Sequence, residues 1–237
     1  MKIALIGYGQ MGKMVEEAAL RQNIEVVERY WNEQPLTVNP STRTVLKGVS
    51  ALIDFTLPDA VIENIQNGAV LSLNMVVGTT GWTNQIDKVK KIVEEHQIGL
   101  VYAANFSLGV NLFYKIVEKS ASLFSAFENY DPFIEEAHHK IKKDAPSGTA
   151  RNIKQILQDH YKKKEIPVTS VRAGYMPGMH RVSFDSKVDT VKLEHNARSR
   201  EGLAEGALLA AKWIQNKKGF YAFEDVLDDI LKNVEIK

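Results

Sequence analysis

The sequence predicts an α/β chain: a Rossmann-type doubly wound parallel sheet, then a second α+β domain with an open mixed sheet. Three observations carry this. Short apolar runs alternate with helical stretches over the first hundred residues. A glycine turn, Gly7-Tyr8-Gly9-Gln10-Met11-Gly12, follows the first run directly. After Asn105, three strand-like runs follow one another with no helix between them.

The elements read in order. Lys2 to Ile6 is a buried strand, and from Gly12 the period turns helical, with Met11, Val15, Ala18 and Ala19 on one face. Ile24 to Tyr30, Ala51 to Phe55, Asn74 to Val77 and Gly99 to Ala103 are further strands, with helical stretches at 59–71 and 84–96. Such alternation specifies a parallel sheet covered on both faces. Residues 110–127 spell a long amphipathic helix with Phe113, Ile116, Val117, Ser120, Leu123, Phe124 and Phe127 on one stripe. A strand at 132–137, a His-rich loop and a helix over 148–161 come next. Val168 to Ala173, His180 to Asp185 and Thr190 to His195 complete the second sheet, one face of which is expected to be covered by another copy of the chain. Helices over 203–215 and 223–231 close the sequence. The expected division is a first domain over 1–105, a second over 106–202, and C-terminal helices over 203–237 that pack back on the first.

Composition narrows the function. A chain of 237 residues with 44% hydrophobic residues and a net charge of +1 builds a packed core and has no charge bias toward nucleic acid or membrane. With no cysteine, thiol nucleophiles, disulfides and thiolate-bound metal are excluded. No leader-like segment precedes the first strand and no apolar run approaches the ~20 residues of a membrane span, so a cytoplasmic protein is expected.

Gly7, Gly9 and Gly12 have the spacing of a dinucleotide phosphate turn: the first permits the turn, the second admits the pyrophosphate, the third lets helix and strand pack. Tyr8, Gln10 and Met11 complete the loop and open a helix whose N-terminus favours an anion. The implied cofactor is NADH, NADPH or both. An acidic residue about 20 positions on would accept from the adenosine ribose. Glu28 follows Gly7 by 21 residues but sits within the strand, whereas Glu33 follows by 26 and lies just past its end. Glu33 is preferred by geometry, Glu28 is its rival, and Arg29 or Arg43 could meet a 2′-phosphate. Gly78-Thr79-Thr80 and Ala103-Ala104-Asn105-Phe106 end two more strands at the carboxyl edge, where open α/β sheets bind ligands. Their small residues leave room for the nicotinamide half, the threonine hydroxyls and backbone groups can hydrogen-bond its amide or ribose, and the second run lies at the expected domain boundary.

The densest chemistry lies between Glu135 and Thr149. His138 and His139 point to opposite sides if they extend the strand, so at least one of them can face a cleft. Either can donate a proton near neutrality, and Lys142 adds positive charge. Ser147-Gly148-Thr149 opens a helix whose amides can hold a carboxylate. Adjacent histidines suit one metal ion poorly, and no cysteine or nearby carboxylate set completes a metal site, so no metal is expected.

The run Glu136-Ala137-His138-His139, Lys142, Asp144-Ala145-Pro146-Ser147-Gly148-Thr149-Ala150 closely resembles the signature of the 4-hydroxy-tetrahydrodipicolinate (dihydrodipicolinate) reductase family. Matches in order at Gly7 to Gly12, Asp54-Phe55-Thr56, Gly78 to Gly81, Ala104 to Asn111, Arg172-Ala173-Gly174, Gly178 with His180, and Gly219 to Tyr221 extend the likeness over nearly the whole chain. The resemblance implies NAD(P)H-dependent reduction of a cyclic dicarboxylate in lysine and diaminopimelate biosynthesis. It implies His138 as proton donor/acceptor, Lys142 as second donor, His139 as a substrate ligand, and the Gly148 and Thr149 amides as a carboxylate site. It also implies a homotetramer joined through the second domain's sheets. Two departures stand out: the chain is short between residues 31 and 50, and Trp31 stands where an acidic residue is common. A different two-domain dehydrogenase would explain the glycine turn but not the His-His segment, and a non-catalytic dinucleotide sensor would need neither His138 nor Lys142.

Overall fold

The computed structural model describes residues 1–233 and divides into two compact units: Met1–Ser107 together with the described residues from Glu201 onward, and Leu108–Arg200. Of the expected C-terminal segment over 203–237, residues 234–237 lie outside the described residues.

The first unit contains strands β1 (Lys2–Ile6), β2 (Glu25–Tyr30), β3 (Ala51–Asp54), β4 (Met75–Val77) and β5 (Gly99–Tyr102). Its helices are α1 (Gln10–Arg21), α2 (Pro40–Val45), α3 (Pro58–Val70) and α4 (Ile86–His96). After the second unit's elements (α5 and α6, β6 to β9), α7 (Glu201–Trp213), β10 (Gly219–Ala222) and α8 (Phe223–Lys232) return to this unit. The strands form one parallel sheet in the order β10-β5-β4-β3-β1-β2.

Strand alternation divides the apolar residues between two cores. Ile3, Leu5, Ile53, Val76 and Val101 pack with α1, α7 and α8, while Ala4, Ile6, Leu52, Met75 and Leu100 pack with α3 and α4. Each fully buried Ile or Leu contributes roughly 1.5–3 kcal/mol. Because the chain goes from β1 outward to β2 and then back across to β3, the topological switch lies between β1 and β3, at the carboxyl end of which the glycine turn sits.

Two elements of this unit are absent from the sequence reading. The short helix α2 starts with an Asn39 cap that accepts from the Thr42 amide at 2.9 Å, followed by Pro40. The edge strand β10 pairs in parallel with β5. Its four residues are all half-buried and show no alternation, so their pattern carries no strand signal.

In the second unit, α5 (Leu108–Phe124) and α6 (Gly148–His160) pack against β6 (Asp131–His138), β7 (Val168–Arg172), β8 (Gly178–Asp185) and β9 (Thr190–Ala197). The sheet order is β7-β6-β8-β9, with β6–β7 parallel and the other pairs antiparallel, so the sheet is mixed. The stripe expected on α5 is corrected. Val110, Phe113, Tyr114, Val117 and Ala121 are its buried apolar residues, whereas Ile116, Leu123 and Phe127 are more than half exposed. Stepping by three and four from Val110 covers the sheet, and Ile116 and Leu123 fall on the far side.

The sheet's covered face is apolar at Ile134, Val182 and Phe184. Its other face carries a charged ladder in which Arg181 pairs with Glu135 and with Glu194. Among the described residues no helix is long and apolar enough to cross a membrane.

Candidate active site

In the first unit the glycine turn is built by close contact. Gly7 has φ +89, and a Cβ there would lie 2.3 Å from the Phe55 carbonyl oxygen. Only glycine accepts both demands. A Cβ on Gly12 would lie 2.4 Å from the Gly7 carbonyl oxygen, so the third glycine lets α1 close on the turn. Gly9 has no atom within 4 Å of a Cβ position, and no side chain caps α1. Open space thus lies over a helix N-terminus, which suits a pyrophosphate.

A cavity of about 380 Å³ continues from this turn. It is lined by Gly7, Tyr8 and Gly9 after β1, by Tyr30 to Glu33 with Pro35 and Leu36 after β2, and by Phe55 to Leu57 after β3. Gln10, Met11 and Gly12 lie on α1 behind the turn. Among the described lining residues Glu33 is the one acid, and none is Lys or Arg. Glu28 stays within β2, outside this lining, with Oε1 accepting from the Arg29 amide at 2.9 Å. Arg29 pairs with Glu16 and lies over the Tyr8 ring, and Arg43 donates to the Val70 carbonyl.

Gly78, Thr79 and Thr80 follow β4, and Ala103 to Phe106 follow β5, both at the carboxyl edge of the sheet but outside the lining of that cavity. The expectation that the Thr79 hydroxyl faces a ligand is corrected: it donates to Asp54 Oδ1 at 3.0 Å and accepts from the Thr56 amide at 2.8 Å. Asp54 is fully buried and also receives the Thr56 amide, the Thr56 hydroxyl and the Asn64 side-chain amide. Burial pushes its carboxyl up, against these hydrogen bonds. This knot ties together the loops after β3 and β4. The Phe106 ring is also buried, edge-on to Phe55 and Phe223. Thr80 and Ala104 remain exposed, and Asn105 is partly exposed.

In the second unit, register assembles the polar cluster. Glu136 lies opposite Ser170 on β7 and His180 on β8, His138 lies opposite Arg172, and His180 lies opposite His195 on β9. All these positions project to the face covered by the helices, forming a polar row at one end of an otherwise apolar surface. His138 Nδ1 stands 2.5 Å from Glu136 Oε2, and Arg172 donates to Glu136 Oε1 at 2.6 Å. The His180 ring meets His138 edge-on at 5.1 Å, and its Nε2 lies 3.0 Å from Ser147 Oγ.

The electrostatics follow from burial. Burial pushes Glu136 up, but hydrogen bonds from Arg172 and Ser170, with the neighbouring charges, outweigh it and hold the carboxyl below the ordinary range. Burial pushes His138 down, against the attraction of Glu136. Burial, with His138 beside it, pushes His180 down to about 4.

After His138 the chain leaves the sheet. The His139 amide donates to the Met176 carbonyl at 2.9 Å, and the His139 carbonyl accepts from the Lys142 amide. Lys142 Nζ lies 2.8 Å from Asp144 Oδ1, a contact that holds the Asp144 carboxyl below its ordinary range. The Ala145–Pro146 peptide is cis. Ser147 caps α6, its Oγ accepting from the Ala150 amide at 3.2 Å. The Gly148 and Thr149 amides, in the first turn, have no acceptor within the helix.

The expectation that no carboxylate set stands near the histidine pair is corrected. Glu136, His138 and His180 bring ligand-capable atoms within 4.8 Å of one another. Both Glu136 oxygens already face a partner, Arg172 and His138. Glu136, Arg172 and His180 stand beside His138, and the sequence pattern gives none of them a role. Alternation on β6 could have found Glu136; the other two depend on strand pairing.

Comparison with known proteins bears on the whole chain. Models of dihydrodipicolinate reductase, N-terminus and C-terminus, match residues 1–106 and 109–227. A 4-hydroxy-tetrahydrodipicolinate reductase of Christiangramia forsetii is 36% identical over 245 residues, covering 98% of this chain and all of the relative. One from Archaeoglobus fulgidus is 33% identical over 261 residues, covering 96% of this chain and all of the relative. In fold, the chain is similar to a dipicolinate-bound dihydrodipicolinate reductase from Paenisporosarcina sp. TG-14, with a TM-score of 0.79 and 24% identity over 95% of this chain and 98% of that one.

Proposed function

The chain belongs to the dihydrodipicolinate reductase family, and from that premise we propose that His138 and Lys142 supply protons to a dicarboxylate substrate held by His139 and the amides of Gly148 and Thr149. The protein is an NAD(P)H-dependent oxidoreductase that reduces 4-hydroxy-tetrahydrodipicolinate to tetrahydrodipicolinate in lysine and diaminopimelate biosynthesis. The bound cofactor supplies the hydride. The turn Gly7 to Gly12 holds its pyrophosphate, Glu33 accepts from the adenosine ribose, and Gly78 to Thr80 with Ala103 to Phe106 border the nicotinamide half. Open space over Gly9 and the cavity beyond it support the first half of this reading.

The observation that carries the proton-donor roles is the 2.5 Å approach of the buried Glu136 carboxylate to His138 Nδ1. A carboxylate there favours the protonated imidazole and leaves Nε2 as the nitrogen that delivers the proton. Loss of the substrate hydroxyl with an adjacent ring proton releases water, and the hydride and one proton then add across the double bond so formed. One positioned acid protonates the leaving hydroxyl, a base takes the ring proton, and an acid protonates the ring carbon beside the hydride, a net uptake of one hydride and one proton. Fixed positive groups also offset the charge of two carboxylates. The Ser147 cap takes the Ala150 amide, and the Gly148 and Thr149 amides of the same first turn have no acceptor within the helix, which supports an anion site there.

The exposed face of the second sheet, with the Arg181 ladder and Val171, is the surface through which we expect copies to join into a homotetramer, checked by sedimentation. The setting that fits a biosynthetic step drawing on reduced pyridine nucleotide is the cytoplasm.

The test is turnover with synthase-generated substrate. His138→Gln and Lys142→Ala each lower kcat by about 10²–10⁴-fold while NADH still binds. Near-wild-type turnover in either variant removes the role assigned to that residue.

A further inference from the structure

We infer that Arg172 is a positioning residue that holds both proton donors, His138 through the Glu136 carboxylate and Lys142 through Asp144, in one fixed arrangement. This rests on the roles proposed above for His138 and Lys142. One Arg172 nitrogen, Nη2, donates at 2.6 Å to Glu136 Oε1 and at 2.6 Å to the Asp144 backbone carbonyl. The other Glu136 oxygen faces His138 Nδ1, and the Asp144 carboxylate holds Lys142 Nζ at 2.8 Å. A continuous set of contacts therefore runs from one donor to the other, and the guanidinium is its midpoint. Strand pairing sets the geometry, since His138 and Arg172 are register partners on parallel strands. The loop leaving β6 then passes back within reach of the same side chain at Asp144.

Stability alone does not account for this arrangement. The Glu136 side chain is fully buried and that of Arg172 is 17% exposed. Taking such a pair out of water costs about as much as the pairing returns, and apolar residues of similar volume commonly do as well. What the pair provides is orientation. It turns His138 Nδ1 toward a carboxylate, so the ring's other nitrogen is the free one. Gly178 protects that nitrogen, because a Cβ there would lie 2.9 Å from His138 Nε2.

The groups facing His138 are Glu136 on its own strand, Arg172 on β7, His180 on β8 and Lys142 in the following loop. Of these, only Glu136 favours the charged ring. Removing the Glu136 charge makes His138 release its proton at lower pH. The alkaline fall of kcat/KM then moves to lower pH.

The experiment uses the full chain with synthase-generated substrate and NADH. Arg172→Met is expected to lower kcat about 100-fold, the loss that a misplaced catalytic group of this kind brings, with KM for substrate and NADH affinity changed less than about threefold. Arg172→Lys, which keeps the charge and can reach both acceptors with one nitrogen, recovers kcat to within about tenfold of wild type. Glu136→Gln, nearly isosteric, moves the alkaline limb to lower pH. Wild-type kcat in Arg172→Met, or an unmoved limb in Glu136→Gln, overturns the inference. So does a rise in KM at unchanged kcat, which would make Arg172 a substrate ligand instead. If Arg172→Met shows no cooperative unfolding transition, Arg172→Lys and Glu136→Gln decide alone. His138→Gln and Lys142→Ala measured alongside separate the two readings. Loss of turnover in those with none in the Arg172 and Glu136 variants sinks this inference only. Retained turnover in those sinks the donor roles themselves.

Discussion

Replacing Glu33 with alanine is expected to move cofactor preference from NADH toward NADPH. The cavity beyond the glycine turn carries Glu33 as its one acid, with no Lys or Arg among its described lining residues. Arg29 is committed to Glu16 and Tyr8, and Arg43 to the Val70 carbonyl. A 2′-phosphate entering this space carries about −1.5 to −2 charges. At ~5 Å from a solvated carboxylate, that charge is repelled by about 1–2 kcal/mol at low salt. NADH instead gains a hydrogen bond to a charged acceptor, about 1.5–3 kcal/mol. Together these favour NADH by roughly 3–4 kcal/mol, on the order of 100-fold or more in Kd. Glu33→Ala removes both contributions, weakening NADH by about tenfold to a hundredfold and tightening NADPH by up to about tenfold. Calorimetric titration of each cofactor at low ionic strength reads both numbers. An unchanged ratio of the two affinities refutes the reasoning and returns the ribose to Glu28 or to backbone groups.

Three further outcomes follow from the same contacts. Gly9→Val, whose side chain meets no atom within 4 Å of the Cβ position, keeps thermal stability while abolishing NADH binding by titration; binding at wild-type affinity would place the pyrophosphate elsewhere. Asp54→Ala leaves both threonine hydroxyls and the Asn64 amide without the buried carboxylate that accepts from them, a loss of about 3–5 kcal/mol in urea unfolding, and a loss under about 1 kcal/mol would contradict the knot. His180 is neutral and buried in the folded state, held at about 4 against 6.5 in the unfolded chain. A group depressed in this way contributes stability above pH 6.5 that is lost as pH falls toward 4, roughly 3 kcal/mol in all. Burial pushes His138 and His195 in the same direction. Urea midpoints between pH 7 and pH 4.5 should fall less steeply in His180→Gln, and parallel curves would refute the assignment.

Local patterns carried what depends on near neighbours in the chain. The glycine spacing specified a turn because backbone freedom and helix entry are local properties, and the alternation of β1 to β5 with helices specified the parallel sheet. Family membership was legible in the segment from Glu136 to Ala150, which packs two histidines, a lysine, a turn and a helix cap into one stretch. The missed features are those that need a partner distant in sequence. The α5 stripe is narrower than its apolar pattern, because Ile116 and Leu123 are as apolar as Phe113 and Val117, which meet the sheet, and only the packed sheet says which side is covered. The Thr79 hydroxyl looked available to a ligand until Asp54, 25 residues away, was found to take it. The short strand β10 exists because β5 offers it an edge. By itself, then, the sequence determined the fold class, the family, the glycine turn that opens α1 and the crowding of His138, His139 and Lys142 after β6. Tertiary structure decided how those groups are held. Arg172 and His180 reach Glu136 and His138 through strand register, which is a property of paired backbones and has no signal within either strand alone.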